Sequence, residues 1–133
     1  MIEVGMTNEE SFKVERRYLA SSYGSGLVDA LATPVLVGFC EECARAVVDP
    51  LLPPREKTVG VSILLEHLAP TPEGMTVTVT AKLIGVDGRR LRFAIEAKDE
   101  LEPIGRGTHE RYIIDQERFA RRVAKKTKRL LPS

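Results

Sequence analysis

The stretch Thr33-Pro-Val-Leu-Val-Gly-Phe-Cys-Glu-Glu-Cys-Ala-Arg-Ala-Val-Val-Asp49 predicts one long helix that is buried over most of its surface. Thr33 suits the N-cap because its hydroxyl can accept a hydrogen bond from a first-turn amide, and Pro34 suits the first helical position because its φ is already helical. Pro50 ends the run, since proline cannot continue a helix. Apolar side chains cover more than half of the circumference, and polar ones share the remaining arc: Glu41, Glu42, Arg45 and Asp49.

Glu41 lies at the margin of the polar arc, next to Val37 and Val48. Two interpretations stay open for a carboxylate in this position. It is either an ordinary solvated side chain, as most charged residues on helices are, or it is held at the rim of a crevice.

The two cysteines, Cys40 and Cys43, form a C-x-x-C motif inside this helix. A zinc site would need two further ligands at suitable spacing, and the sequence pairs none with them. A redox motif would normally lie at a helix N-terminus, where the dipole lowers the thiol pKa. We therefore predict two buried, unpaired cysteines that act as small hydrophobic side chains, and no metal site.

Length and composition indicate a single domain spanning residues 1–133. Charged residues make up 29% and hydrophobic residues 43% of the chain, and the formal net charge of +1 argues against general binding to nucleic acid or to an anionic membrane. No stretch approaches the roughly 20 apolar residues that a membrane span needs. The N-terminal residues have neither the basic region nor the apolar core of a secretory signal, so we expect a cytoplasmic protein.

Alternating apolar and polar residues predict five strands around this helix. The predicted strands cover residues 11–17, 58–69, 74–84, 89–98 and 104–114, and Asp87-Gly88 marks a tight hairpin. The glycine- and serine-rich residues 20–26 are interpreted as a loop that leads to the helix. The order predicts an α+β fold in which the last four strands form an antiparallel meander, and the sheet wraps around the long helix.

The segment 116–133 is predicted to be a basic amphipathic helix or tail, with seven Lys and Arg residues around Phe119 and Val123. Nucleic acid binding is one interpretation of such a run. Because no aromatic residue besides Phe119 is interleaved with the charges, a solvated terminal helix is the interpretation that we favour.

His67 is the most informative polar residue of the predicted strands. It shares the core-facing parity of Val61, Ile63 and Leu65, and a histidine in that position is either a hydrogen-bonded core residue or a catalytic one. Packing the strand on the helix would bring it to Thr33 and Glu41, which together supply a hydroxyl, a carboxylate and a proton carrier. A nearby carboxylate would favour the protonated imidazole, which can polarise a carbonyl group. His109 is interpreted as structural or peripheral.

The sequence resembles the hot-dog-fold thioesterases, and among them the fluoroacetyl-CoA thioesterase type, over residues 33–119. The resemblance rests on Ala32-Thr-Pro followed by Glu41, Thr58-Val-Gly, His67-Leu-Ala-Pro-Thr-Pro-Glu-Gly-Met-Thr-Val, Gly88-Arg-Arg-Leu and Gly105-Arg-Gly-Thr-His-Glu-Arg. It implies an antiparallel sheet of about five strands wrapped around a central helix. It also implies a homodimer with active sites at the subunit interface, and leaves open whether dimers pair further into tetramers.

The activity that the resemblance implies is hydrolysis of an acyl-CoA thioester by Thr33, Glu41 and His67, with the main chain near Gly60 holding the substrate. It implies no cofactor, since CoA is part of the substrate, and leaves open whether Glu41 acts as nucleophile or as base. Contact between the basic tail and the CoA phosphates is a further hypothesis. Three other functions remain as alternatives. The first is a non-catalytic hot-dog module that binds acyl-CoA or another apolar ligand, and the second is a purely structural role. The third is a hot-dog dehydratase or hydratase, although the sequence does not contain the motif of those enzymes.

One departure from the family concerns the acyl pocket. The fluoroacetyl-specific enzyme closes its pocket with phenylalanines in the segment before the catalytic threonine, and the matching positions here are Gly24 and Leu27. We therefore expect a short- or medium-chain acyl-CoA substrate rather than strict selection of the fluoroacetyl group.

Overall fold

The computed structural model describes residues 1–131, and its helices and strands follow the predicted order along the chain. The elements are β1 (Thr7–Lys13), α1 (Ala20–Tyr23), α2 (Thr33–Val48), β2 (Glu56–His67), β3 (Thr76–Asp87), β4 (Arg90–Lys98), β5 (Pro103–Asp115) and α3 (Gln116–Leu130). The short helix α1 lies in the segment predicted to be a loop. The last two residues of the predicted basic tail, Pro132 and Ser133, lie outside the described residues.

The five strands form one antiparallel sheet in the order β1-β3-β4-β5-β2. Strands β3, β4 and β5 form the predicted meander, and Gly88 adopts the left-handed φ of 61° at the β3–β4 turn. The prediction that β2 belongs to this meander is wrong, because β2 pairs with β5 at the edge of the sheet. The connection from β2 to β3 contains Pro70 and Pro72, which favour an extended crossing over a tight hairpin.

The sheet wraps around α2, as predicted, and the core lies between them. Phe39 of α2 stacks on Phe12 of β1 with ring centroids 4.2 Å apart. The predicted inward faces of β3 and β4 are confirmed as buried: Val77, Val79, Ala81, Leu83, Leu91, Phe93, Ile95 and Ala97. Of the predicted apolar surface of α2, the buried residues are Leu36, Phe39, Cys40, Cys43, Ala44, Val47 and Val48, whereas Val35, Val37 and Ala46 are only half-buried. Burying this apolar surface is the main stabilising contribution to the fold.

A β-bulge divides strand β2. The register with β5 shifts between Gly60 and Ser62, so Val61 has no partner of its own. An extra residue reverses the in-and-out alternation beyond it, and Val61 is 46% exposed. The predicted single inward face, which included Val61 and His67 together, is therefore wrong for the residues before the bulge.

Both cysteines are free and buried, as predicted. Burial raises the pKa of Cys40 to about 12 and that of Cys43 to about 11, so the two thiols stay protonated at neutral pH. Cys43 donates to the carbonyl oxygens of Asn8 and Val79, at 3.3 and 3.4 Å. Within residues 1–131, no helix has the length and apolarity needed to cross a bilayer.

Candidate active site

Thr33 and His67 form a hydrogen-bonded pair where α2 begins and β2 ends. Thr33 Oγ1 lies 2.7 Å from His67 Nδ1. The predicted capping role of Thr33 is wrong, because the N-cap of α2 is Ala32 and no side chain caps the helix. The Thr33 hydroxyl is directed at the imidazole instead of at a first-turn amide.

The imidazole of His67 is placed to act as a base. Burial lowers the pKa of His67 below its ordinary value, and the nearby backbone of Ala69 opposes the shift. The ring is therefore neutral at pH 7, and its Nδ1 can accept the hydroxyl proton of Thr33. The buried Nε2 has no hydrogen-bond partner among the described residues. A hydroxyl beside a neutral histidine is an activated nucleophile.

A cleft of about 370 Å³ opens beside this pair, and Thr33 and His67 line it. The segment before α2 and the turn after β2 form the rest of its wall. The other lining residues are Ala20, Ser25, Gly26, Val28, Ala30, Leu31, Leu68, Ala69 and Pro70. None of these lining residues is aromatic. Gly24 and Leu27, the two positions at which the resemblance implied phenylalanines, do not close the cleft, since Gly24 ends α1 with a left-handed φ of 102° and the Leu27 side chain is 99% exposed.

Glu41 lies at a second location, against Gly60 on β2. A methyl group added to Gly60 would stand 2.6 Å from Glu41 Oε2 and 3.3 Å from His109 Cε1, so only glycine leaves room for the carboxylate. Glu41 Oε2 lies 3.7 Å from Nη1 of Arg111, and the Glu41 side chain is 44% exposed whereas that of Arg111 is 6% exposed. The half-exposed carboxylate thus sits beside a buried cation.

A buried hydrogen-bond network fixes this cation. Arg111 donates from Nε to Thr58 Oγ1 at 2.8 Å and from Nη2 to the Thr58 carbonyl at 3.0 Å. Thr58 donates its own hydroxyl proton to Asp49 Oδ1 at 2.6 Å. Burial lowers the pKa of Arg111, and the carboxylates of Asp49 and Glu41 oppose that shift, so the guanidinium stays charged.

His109 belongs to the same network, so of its two interpretations the structural one is confirmed and the peripheral one is wrong. The ring is 1% exposed, and Nδ1 lies 2.7 Å from the Ser62 carbonyl while Nε2 lies 3.2 Å from Arg111 Nη1. Since a carbonyl accepts and a guanidinium donates, Nδ1 carries the proton and Nε2 accepts. Burial lowers the pKa of His109, and Arg111 adds to this shift, which keeps the ring neutral.

Within one chain the structure brings Thr33 to His67 and Glu41 to Gly60, but it does not bring Glu41 to His67. Thr33 and Glu41 are eight residues apart on α2, about 12 Å along the axis. Gly60 and His67 are seven residues apart on β2, roughly 20 Å. A chain therefore carries two half-sites: one formed by Thr33 and His67, and one formed by Glu41, Gly60 and Arg111.

Sequence reasoning missed Arg111, although a signal was present. Every second residue in this part of β5 faces the helix, and His109, Arg111 and Ile113 are three such residues. An arginine on the inward parity of a strand is rarely buried without a carboxylate or hydroxyl partner. Among residues 1–131, no group of three or more His, Cys, Asp and Glu side chains is arranged to hold a metal ion.

The model of the family described as fluoroacetyl-CoA-specific thioesterase matches residues 14–117. The fluoroacetyl-CoA thioesterase of Streptantibioticus cattleyicolor is 46% identical over 100 residues, which cover 74% of this chain and 71% of that protein. The family match includes all the residues of the two half-sites.

Two solved structures extend the likeness to the fold. A threonine-to-serine mutant of the fluoroacetyl-CoA-specific thioesterase in complex with acetyl-CoA superposes with a TM-score of 0.90 at 36% identity, covering 95% of this chain and 99% of that one. A thioesterase superfamily member from Thermus thermophilus also gives a TM-score of 0.90, at 26% identity, covering 97% and 96% of the two chains. The chain has the hot-dog fold, belongs to the fluoroacetyl-CoA-specific thioesterase family and is an acyl-CoA thioesterase.

Proposed function

We propose that this enzyme hydrolyses short- or medium-chain acyl-CoA thioesters, with Thr33 as the nucleophile and His67 as its base. The observation that carries the proposal is the 2.7 Å contact between Thr33 Oγ1 and a neutral His67. Thr33 Oγ1 attacks the thioester carbonyl carbon while its proton passes to His67 Nδ1. The C–S bond then breaks, the CoA sulfur takes that proton, and an acyl-threonine ester remains.

Water completes the reaction. Its oxygen attacks the acyl-threonine ester, one proton passes to a base, and cleavage of the ester returns the proton to Thr33 and releases the carboxylic acid. Glu41 is the proposed base of this second step, because its carboxylate lies against Gly60 and is 3.7 Å from Nη1 of Arg111. The Gly60 main chain lies next to the bulge of β2 and is the proposed partner of the thioester oxygen.

A homodimer built along β2 would join the two half-sites. Within residues 1–131, strand β2 is an edge strand with no partner beyond it, and its side chains Val61 and Leu64 are 46% and 73% exposed. Long apolar edges of this kind are normally covered. If two β2 strands pair antiparallel about a twofold axis between Ile63 and Leu64, Gly60 stands opposite the partner's His67. Each Glu41 then faces the partner's Thr33 as well.

The proposed acyl range follows from the cleft beside His67. Its volume of about 370 Å³ lies within the range of small-molecule sites, and none of its lining residues is aromatic. An open, largely aliphatic wall accepts additional methylene groups, each of which contributes about 0.8 kcal/mol when buried. The cleft thus favours several chain lengths over the fluoroacetyl group alone.

A thiol-release assay on acetyl-, fluoroacetyl-, butyryl-, hexanoyl-, octanoyl- and palmitoyl-CoA tests the substrate range. We expect kcat/KM to be highest between acetyl and octanoyl, with fluoroacetyl-CoA favoured over acetyl-CoA by less than about tenfold. Strict preference for fluoroacetyl-CoA, or for the palmitoyl ester, would contradict the proposed range.

The same assay tests the proposed residues. Thr33→Ala and His67→Ala are each expected to lower kcat by about a hundredfold or more, while Thr127→Ala, an exposed threonine of α3, leaves kcat unchanged. Circular dichroism checks that the variants fold. Full turnover by folded Thr33→Ala and His67→Ala would overturn the assignment of nucleophile and base.

A further inference from the structure

Helix α3 takes little part in the core, since none of its residues is buried. It begins at Asp115, whose carboxylate accepts from the amides of Glu117 and Arg118 at 3.1 and 3.0 Å. Arg55 ties the start of the helix to the sheet through Asp115 and Glu117. A cavity of about 580 Å³ lies between α3 and the end of β5, which is within the size range of ligand sites.

The cavity faces a concentration of positive charge. Helix α3 holds seven of the 20 Lys and Arg residues and one of the 19 Asp and Glu residues, so the rest of the chain is net negative. Arg118, Arg122 and Lys125 line the cavity at spacings of four and three residues, which places them on one helix face. The ion pairs of α3 among the described residues join Glu117 to Arg55 and Arg121 instead. The three cations are left for an anion.

The cavity also offers flat apolar surface. Tyr112 of β5 and Phe119 of α3 both line it and are 40% and 42% exposed. A nucleobase stacks on such rings, and arginine side chains bind phosphate groups through two parallel hydrogen bonds. Half-exposed aromatic rings beside unpaired cations are the chemistry that recognises a nucleotide.

We propose that this cavity binds the nucleotide end of the CoA substrate, with the phosphate groups on Arg118, Arg122 and Lys125 and the adenine against the aromatic rings. The inference rests on the proposed function, since it assumes an acyl-CoA substrate whose thioester lies at Gly60.

The position of the cavity fits that substrate. Tyr112 pairs with Val59, the neighbour of Gly60, and α3 starts where Asp115 pairs with Glu56. Glu56 and Gly60 are four residues apart on β2, about 13 Å. The pantetheine arm of CoA has a comparable extended length, roughly that of four to five residues of extended chain. The thioester and the nucleotide can therefore occupy the two places at once.

Two charge-reversing double variants of the full-length protein test the proposal. Arg122→Glu with Lys125→Glu changes residues that line the cavity, and Lys126→Glu with Lys128→Glu makes the same change in charge on the same helix outside the lining. Calorimetry measures the Kd of adenosine 3′,5′-bisphosphate, and thiol release measures the KM of the preferred acyl-CoA and of the matching acyl-pantetheine.

We expect the cavity variant to weaken bisphosphate binding and to raise the KM for acyl-CoA by about tenfold or more, and the control variant to change each by less than about threefold. With acyl-pantetheine, which lacks the nucleotide, the difference between the two variants should disappear. Equal losses in both variants, or an unchanged Kd in the cavity variant, would overturn the proposal. Binding of the wild-type protein to anionic vesicles would also overturn the proposal if both variants lost that binding while their affinity for the bisphosphate persisted.

Nucleotide binding is measured without turnover, so the two proposals fail separately. If wild-type protein binds the bisphosphate through the cavity but the acyl-CoA panel is hydrolysed outside the proposed range, the proposed function fails and the nucleotide site stands. If the panel is hydrolysed as proposed and the wild-type protein does not bind the bisphosphate, the nucleotide site is overturned alone.

Discussion

Gly60 shows how a missing side chain shapes the candidate site. Its φ is not in the left-handed region, so the backbone alone does not demand glycine here. What demands glycine is the close approach of Glu41 Oε2, which a methyl group at this position would meet at 2.6 Å. The contact is with the end of a flexible side chain rather than with backbone, so a substitution would move the carboxylate before it disturbed the sheet.

Gly60→Ala is accordingly expected to damage catalysis more than folding. The added methyl group displaces the Glu41 carboxylate from its position beside Arg111, and we expect kcat to fall by about tenfold or more because the base is misplaced. The thermal unfolding midpoint should shift by only a few degrees. Gly85→Ala is the matched control, because a methyl group there meets only Arg92 Cβ at an ordinary 3.7 Å. A Gly60→Ala enzyme with wild-type kcat would show that Glu41 needs no fixed position.

At this scale the sequence predicted the Thr33–His67 pair but not the surroundings of Glu41. Alternation of apolar and polar residues predicts that His67 faces the helix, and this prediction is correct for the part of β2 that follows the bulge. Arg111 was overlooked because a charged residue in a strand is usually solvated, and its burial depends on partners from α2 and β2. Only the packed structure brings those three elements together.

Among the elements, the end of α2 is linked to β2 and β5 by one chain of hydrogen bonds. Asp49, just beyond α2, accepts from the hydroxyl and the amide of Thr58 at 2.6 and 3.3 Å. Thr58 in turn accepts from Arg111, whose guanidinium reaches Glu41. The carboxylate of Asp49 is 8% exposed and lies close enough to offset the buried charge of Arg111.

Asp49→Asn keeps the size of this side chain and removes its charge. We expect the free energy of unfolding to fall by about 1–3 kcal/mol, because the buried guanidinium loses its compensating anion while part of the hydrogen bonding survives. Urea denaturation measures the change. Glu66→Gln, which alters the exposed ion pair with Arg106, is the control and should leave the midpoint in place. Equal stability of Asp49→Asn and wild type would argue against a supporting role for the network.

The elements themselves were predicted closely, and their arrangement less so. The bounds of the four later strands lie within three residues of those predicted, because alternation and turn residues are local signals. The placement of β2 beside β5 depends on long-range pairing, for which the alternation carries no signal. The bulge at Val61 is equally invisible, since the apolar pattern runs through it without interruption.

For the molecule as a whole, the separation of the two half-sites on one chain is the reason for proposing a homodimer. The rise of the helix separates Thr33 from Glu41 by about 12 Å, so one imidazole cannot serve both within a chain. A twofold axis through the β2 edge would bring the missing half from the partner and would also cover Val61 and Leu64. A sequence describes one chain, and the structure of that chain keeps Glu41 away from His67. The proposed dimer therefore places their meeting between chains rather than within one.

This arrangement predicts that two inactive variants restore activity to each other. Glu41→Gln and His67→Ala are each expected to be inactive as homodimers. In the proposed dimer Glu41 of one subunit works with the partner's His67, so a heterodimer of the two variants carries one site with both wild-type halves and one site with neither. Co-expression with two different affinity tags, followed by tandem purification, isolates that heterodimer, and its specific activity should be about half that of the wild-type dimer. If the site lay within a single chain, both subunits of the heterodimer would be defective and its activity would stay at the level of the two homodimers.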